Sequence, residues 1–121
     1  MENDPNAKLL RIFIGESDKM GNQPLYEAIV LEARRQLLSG ATVIRGIMGY
    51  GANSRIHTAK IFELSTDLPL IIEIVDTKEK IEKFIPVVEH MFENSRSGGL
   101  ITIEKAVVIR YKSSVIPRNP A

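Results

Sequence analysis

A chain of 121 residues with 44% hydrophobic and 26% charged residues and a formal net charge of +1 has the size and composition of one globular domain, not of a disordered or strongly basic nucleic-acid-binding chain. The lack of cysteine excludes disulfides and thiolate metal sites, two histidines (His57 and His90) are too few for a histidine-rich centre, and no metal is expected. No apolar run approaches the roughly 18 residues of a membrane span, and the opening MENDPNAK has no signal-peptide character, so a cytoplasmic protein without direct membrane insertion is expected.

In chain order, residues 8–14 (KLLRIFI) alternate Leu10, Ile12 and Ile14 with Leu9, Arg11 and Phe13, the period-two pattern of a strand. A polar link containing Gly15 and Gly21 follows, then Pro24, suited to the first turn of a helix where its missing N–H costs nothing. Tyr26, Val30, Ala33 and Leu37, joined by Leu25 and Ile29, predict the buried stripe of that helix, with Gly40 as a left-handed cap. Residues 41–48 (ATVIRGIM) are β-branched enough for a second strand. The stretch RGIMGYGANSRIHTAK (45–60) is longer and chemically richer than a two- to five-residue turn needs.

Residues 70–75 (LIIEIV) predict a central strand, apolar on both faces apart from Glu73. Asp76 and Glu79 have the spacing of a capping box into a second helix, with the stripe Ile81, Phe84, Ile85, Val88, Met91 and Phe92 and a kink expected at Pro86. A loop, NSRSGG (94–99), leads into LITIEKAVVIRY (100–111), a last strand, and a loose tail with two prolines. The order strand, helix, strand, long loop, strand, helix, strand defines an α+β, ferredoxin-like βαββαβ fold. Its sheet has four antiparallel strands with both helices on one face. The other face carries Leu9 and Phe13 and needs a cover, for which self-association is the simplest.

The segment GYGANSRIHT…DLPLIIEIVD resembles the GFG…HT…FLPKVKIEIV run of the PII signal-transduction proteins, with a slightly shorter spacing. The end, GGLITIEKAVVIRYK, resembles the PII end, in which a glycine loop leads into a strand finishing in Arg-x-Arg. The run RGI-G-G…HTA…LS-DLP--IEIVD is most similar to a PII-like family of small bacterial and archaeal proteins, a domain of unknown function. The resemblance covers nearly the whole chain and makes residues 1–121 a single PII-like domain, with a core of about 8–112 and a flexible tail at 113–121.

The resemblance implies a non-enzymatic regulator: a homotrimer whose sheets line a central barrel, with an adenine nucleotide in each cleft between subunits. The long loop would be a mobile effector loop that reports occupancy to a partner protein, a membrane transporter among the candidates. Gly49, Tyr50 and Gly51 would then let backbone approach the ligand, with positive φ where needed. Arg96, Ser97, Gly98 and Gly99 would cradle phosphate, and Arg110 and Lys112, alternating on one strand face, would occupy the places of the two PII arginines. Asn53, Arg55 and His57 would present the loop to the partner.

Two departures set the expected ligand. The PII phosphate loop reads Gly-Asp-Gly-Lys, whereas here Gly98-Gly99 remains and Leu100 stands where the lysine would be. Lys112 replaces the second arginine and lacks its bidentate fork, so AMP or ADP is favoured over ATP, with no obligatory cofactor. The loop also lacks the tyrosine that some PII proteins have modified, Tyr50 belonging to the glycine pair.

Structural readings stand beside these. A Gly-x-Gly is equally a bulge or turn, Arg55 and His57 fit a solvated loop, Arg110 and Lys112 fit a polar strand edge, and His90 faces outward on its helix. The alternatives are a copper-tolerance-type structural trimer without nucleotide and an acylphosphatase-like enzyme of the same topology. The latter needs an arginine in its first loop, which GESDKMGNQP lacks. An amino-acid-binding regulatory domain would lack the long loop.

Overall fold

The computed structural model describes residues 1–52, 57–58 and 67–114. The element order is β1 (Lys8–Gly15), β2 (Lys19–Met20), β3 (Gln23–Pro24), α1 (Leu25–Arg35), β4 (Thr42–Arg45), β5 (Met48–Gly49), β6 (His57–Thr58), β7 (Pro69–Asp76), α2 (Lys78–Ser95) and β8 (Leu100–Lys105). The main sheet has the order β4-β7-β1-β8 with every neighbouring pair antiparallel, the expected ferredoxin-like arrangement.

The central pair follows from period-two patterning. Register pairs Leu10 with Ile74, Ile12 with Ile72 and Ile14 with Leu70, and all six side chains are buried on the helix side. A one-residue slip would move this whole set to the other face, so the pattern itself fixes the register. Leu25, Ala28, Ile29 and Ala33 of α1 and Ile81, Phe84, Val88 and Met91 of α2 complete the core. The buried stripe of α1 is thus rotated from the expected one: Tyr26 and Val30 only flank the core and Leu37 is 77% exposed.

The helix ends differ from the sequence expectations in identifiable ways. α1 stops at Arg35, and the left-handed residue is Leu37 (φ 62) rather than Gly40. The N-cap of α2 is Thr77, whose side chain accepts from the Lys80 N–H at 3.3 Å. Asp76 is drawn inward instead, Oδ1 accepting from the Thr77 N–H at 2.7 Å and Oδ2 from the Ser39 N–H at 2.8 Å. These two amides satisfy a carboxylate that is only 3% exposed, so the box Asp76–Glu79 does not form. α2 runs on through exposed Pro86, where the missing N–H deprives only the Glu82 carbonyl of its helical donor.

Both outer strands are shorter than their sequences suggest. β4 covers Thr42–Arg45, and β8 ends at Lys105 although alternation continues to Tyr111. The face of the sheet away from the helices carries Leu9, Phe13, Ile71 and Val75, half-buried, with exposed Ile44 and Leu100 beside them. In its middle the Arg11 Nε donates to Glu73 Oε2 at 2.9 Å and Nη1 donates to Glu104. The Glu73 bond first, then that to Glu104, holds the Arg11 guanidinium above its ordinary pKa. Among the described residues no helix is long and apolar enough to cross a membrane.

Candidate functional site

The long loop starts as a small hairpin, with Met48 opposite Thr58 and Gly49 opposite His57. Its root is pinned to the start of β7: the Gly46 N–H donates to the Pro69 carbonyl at 2.7 Å. A Cβ on Gly46 would stand 2.9 Å, and one on Gly49 3.1 Å, from Pro69 Cγ. Gly46 therefore leaves no room for a side chain against Pro69 at the start of β7, and Gly49 packs tightly on the same ring. Gly51 is different: it is exposed, nothing among the described residues lies within 4 Å of a Cβ there, and its φ is not left-handed. The positive φ anticipated for the pair Gly49 and Gly51 occurs at neither, and the one described glycine that has it is Gly21. Tyr50 is 68% exposed beside them. Asn53 and Arg55 lie outside the described residues, as does the side chain of His57.

The second candidate group follows α2. Arg96 takes the left-handed C-cap conformation (φ 56, ψ 29), its N–H donating to the Glu93 and Phe92 carbonyls, and the Ser97 N–H donates to Phe92 O at 3.1 Å. A Cβ on Gly99 would lie 2.7 Å from Phe13 O and 2.9 Å from Phe92 Cζ, so this glycine lets the chain enter β8 against the Phe92 ring. Gly98 has open space around it. Glu89, Phe92, Glu93, Gly99 and Ile101 line a shallow groove of about 440 Å³ between α2 and β8. Its two carboxylates repel an anion, so a phosphate on this loop has to sit towards Arg96 and Gly98.

Arg110 and Lys112 correct a sequence expectation. They are exposed, but they lie beyond the end of β8 and share no strand face. The alternation of 106–111 is strand-like in composition, yet these residues have no ladder partner, and a strand exists only where a neighbour completes its hydrogen bonds. The segment turns instead along the lower end of the sheet, where the Asn3 N–H donates to Val108 O at 3.3 Å. Gly49 and the 96–99 loop stand at the opposite end, beside Pro69 and Phe13. With a rise of about 3.4 Å per residue, the eight residues of β1 put roughly 24 Å between the two ends. One chain therefore does not bring its three groups of candidate residues together. Arg96, Arg110 and Lys112 have no carboxylate partner among the described residues, in contrast to Arg11, Arg35 and Arg45.

The loop between β1 and α1, where an acylphosphatase would hold its anion, is closed to one. The Gly15 N–H donates to Asp18 Oδ2 at 2.9 Å and the Ser17 N–H to Asp67 Oδ1 at 2.9 Å. The Glu16 N–H donates to Leu68 O at 2.8 Å and the Asp18 N–H to Gly15 O at 3.2 Å. All four consecutive donors are satisfied internally, two of them by carboxylates. Burial pushes the Asp18 carboxyl up, the Gly15 N–H opposes this, and the charge of Asp67 adds to the rise. A carboxyl whose folded pKa is raised contributes fully below its unfolded value, and that contribution is lost as pH rises through the folded one. Asp18→Asn removes the loss, so thermal melts are expected to show it more stable than wild type at pH 7 but not at about pH 3.

A ferredoxin-like subunit with a long loop after its second core strand is the architecture of PII-like proteins. Residues 7–108 match the DUF190 family (Uncharacterized ACR, COG1993), and the chain belongs to that family. A "UPF0166 protein" of Aquifex aeolicus (strain VF5) is 39% identical over 102 residues, spanning 84% of this chain and 92% of the relative. In fold the chain is similar to CPII, a nitrogen regulatory PII-like protein from Thiomonas intermedia K12 in a structure bound to ADP, AMP and bicarbonate. The TM-score is 0.65 at 17% identity, with 86% of this chain and 89% of that one covered. A phage SAM lyase without ligand shares the fold at TM-score 0.53 and 15% identity, covering 100% of this chain and 98% of that one. Sequence reasoning missed Gly46 and Pro69, although the Leu-Pro before an apolar run marks the strand start on which both hairpin glycines pack. It also missed Ser39 and gave Asp76 the role of a helix cap, because the pairing of the two joins the end of β7 to a loop distant in sequence and leaves no local signal.

Proposed function

We propose that this chain, as one PII-like domain over residues 1–121, is a homotrimeric regulator. It binds an adenine nucleotide, AMP or ADP in preference to ATP, in clefts between subunits and signals to a partner protein through the loop that follows Gly51. The observation that carries the reading is the contrast among the loop glycines. Gly46, Gly49 and Gly99 pack closely within the chain, whereas nothing among the described residues stands within 4 Å of a Cβ at Gly51 or Gly98, and the exposed Arg96 lies two residues before Gly98. A glycine that the fold does not need is a place where another backbone or a ligand can approach closely. The similarity to CPII, whose structure holds ADP and AMP, supports the ligand class.

The separation of Arg110 and Lys112 from the glycine loops supports a cleft between chains, since a ligand touching both groups has to lie between two copies. The apolar face around Ile71 and Phe13 is the surface the copies would share. The exposed Arg96 and Arg110 are available to a phosphate as charge-assisted donors. The satisfied donors of the first loop count against the acylphosphatase alternative.

Gly51→Val tests the reading. The fold leaves room for the side chain, so stability is expected to change by no more than about 0.5 kcal/mol. Binding of both ADP and adenosine, read by titration calorimetry, is expected to be lost or strongly weakened, because a β-branched side chain blocks close approach. Unchanged binding of both would remove this loop from the site.

A further inference from the structure

After β8, three hydrogen bonds among the described residues tie residues 106–111 to the body of the protein. The Ala106 N–H donates to Ala7 O at 3.0 Å, the Asn3 N–H to Val108 O at 3.3 Å, and the Tyr111 hydroxyl to the Ser39 carbonyl at 2.8 Å. The first two are backbone contacts beside the start of β1. The third crosses to the loop between α1 and β4, and a side chain makes it.

The acceptor is itself held firmly. The Ser39 N–H donates to Asp76 Oδ2 at 2.8 Å, and its hydroxyl donates to the Val75 carbonyl. Asp76 is buried at the end of β7, with its other oxygen bound to the Thr77 N–H at the start of α2. The neighbouring Leu37 carbonyl accepts from Lys80 Nζ at 3.1 Å. Tyr111 thus fastens the outgoing chain to a loop locked on both β7 and α2.

Val107 is 72% and Ile109 81% exposed, so apolar burial does not fix this segment. Arg110 and Lys112 flank Tyr111 in sequence, both exposed. Without the hydroxyl, the last fixed point before Arg110 is the Asn3 bond to Val108.

We infer that Tyr111 is a positioning residue: its hydroxyl, bound to Ser39, holds Arg110 and Lys112 in place for the phosphate groups of the nucleotide. The inference rests on the phosphate-binding reading given above. A cation already fixed loses less conformational freedom on binding than one carried on a loose segment, so the latch raises affinity without touching the ligand. The adenosine moiety, which those cations do not contact, gains nothing from it.

The full-length protein tests this with titrations of ADP and adenosine into wild type, Tyr111→Phe, Arg110→Ala and the double variant, together with limited trypsin proteolysis of ligand-free wild type and Tyr111→Phe after Arg110 and Lys112. Tyr111→Phe is expected to weaken ADP about fivefold, the factor for one neutral hydrogen bond, and to leave adenosine unchanged. The double variant is expected to bind ADP no more weakly than Arg110→Ala, because Tyr111 acts through its neighbours. Cleavage after Arg110 and Lys112 is expected to quicken in Tyr111→Phe. The latch is overturned if Arg110→Ala weakens ADP while Tyr111→Phe does not, if Tyr111→Phe weakens ADP and adenosine alike, or if cleavage is unchanged. Wild-type ADP affinity in Arg110→Ala would overturn the phosphate reading and the inference with it.

Discussion

Arg110→Ala is expected to weaken ADP binding tenfold to more than a hundredfold, while adenosine binding changes far less. Arg110 is exposed, and its guanidinium has no carboxylate partner among the described residues, so its charge is available to an anion. A hydrogen bond between charged partners is worth about 1.5–3 kcal/mol, which sets the size of the loss. No buried contact goes with the side chain, so the melting temperature should hold. Titration calorimetry of the two ligands side by side checks the expectation. Equal, wild-type affinity for ADP would make Arg110 an ordinary surface charge.

Ile71→Glu is expected to break the assembly. Ile71 lies between Phe13 and Ile44 across the sheet, on the face that no helix covers. On the helix side the same sheet buries Leu70, Ile72 and Ile74, so the monomer core is untouched by the change. A carboxylate at 71 loses its water in a contact between copies, and the nearby Arg11 is already shared by Glu73 and Glu104, so the change costs several kcal/mol. Light scattering should give about three times the 13.5 kDa chain mass for wild type and a much smaller mass for the variant. Nucleotide binding should disappear with the assembly, because the proposed site draws on two chains. A wild-type protein that scatters as a monomer would contradict both the assembly and the cleft.

What could be read in the sequence depended on whether a residue's surroundings were local. Leu10, Ile12 and Ile14 alternate with half-buried neighbours, and this period-two signal placed β1 within a residue of its observed ends. Ile81, Phe84, Val88 and Met91 marked α2 as plainly, although the helix runs on to Ser95, two residues into the expected loop 94–99. The outer strands were over-read for a physical reason. Val107, Ile109 and Tyr111 have strand propensity and alternation, but propensity does not supply a neighbour, and the ladder stops at Lys105. Thr77 displaced Asp76 as the cap of α2 because Ser39, 37 residues away, offers Asp76 a buried amide.

The site was legible in part for the same reason. Residue types flagged Gly49, Gly51, Gly98, Gly99, Arg110 and Lys112, but type alone does not separate a glycine needed for packing from one left free. The contact of Gly49 with Pro69 and the open surroundings of Gly51 make that distinction. The loop residues Asn53 and Arg55 gain nothing from it, as they lie outside the described part of the chain.

The central claim is that this protein binds an adenine nucleotide. Titration calorimetry of the purified protein with AMP, ADP, ATP and a cyclic nucleotide addresses it most directly. The account predicts saturable binding of AMP or ADP, tighter than ATP, at one ligand per chain and three per particle. No binding of any of the four would contradict it and leave a structural trimer without nucleotide as the better description.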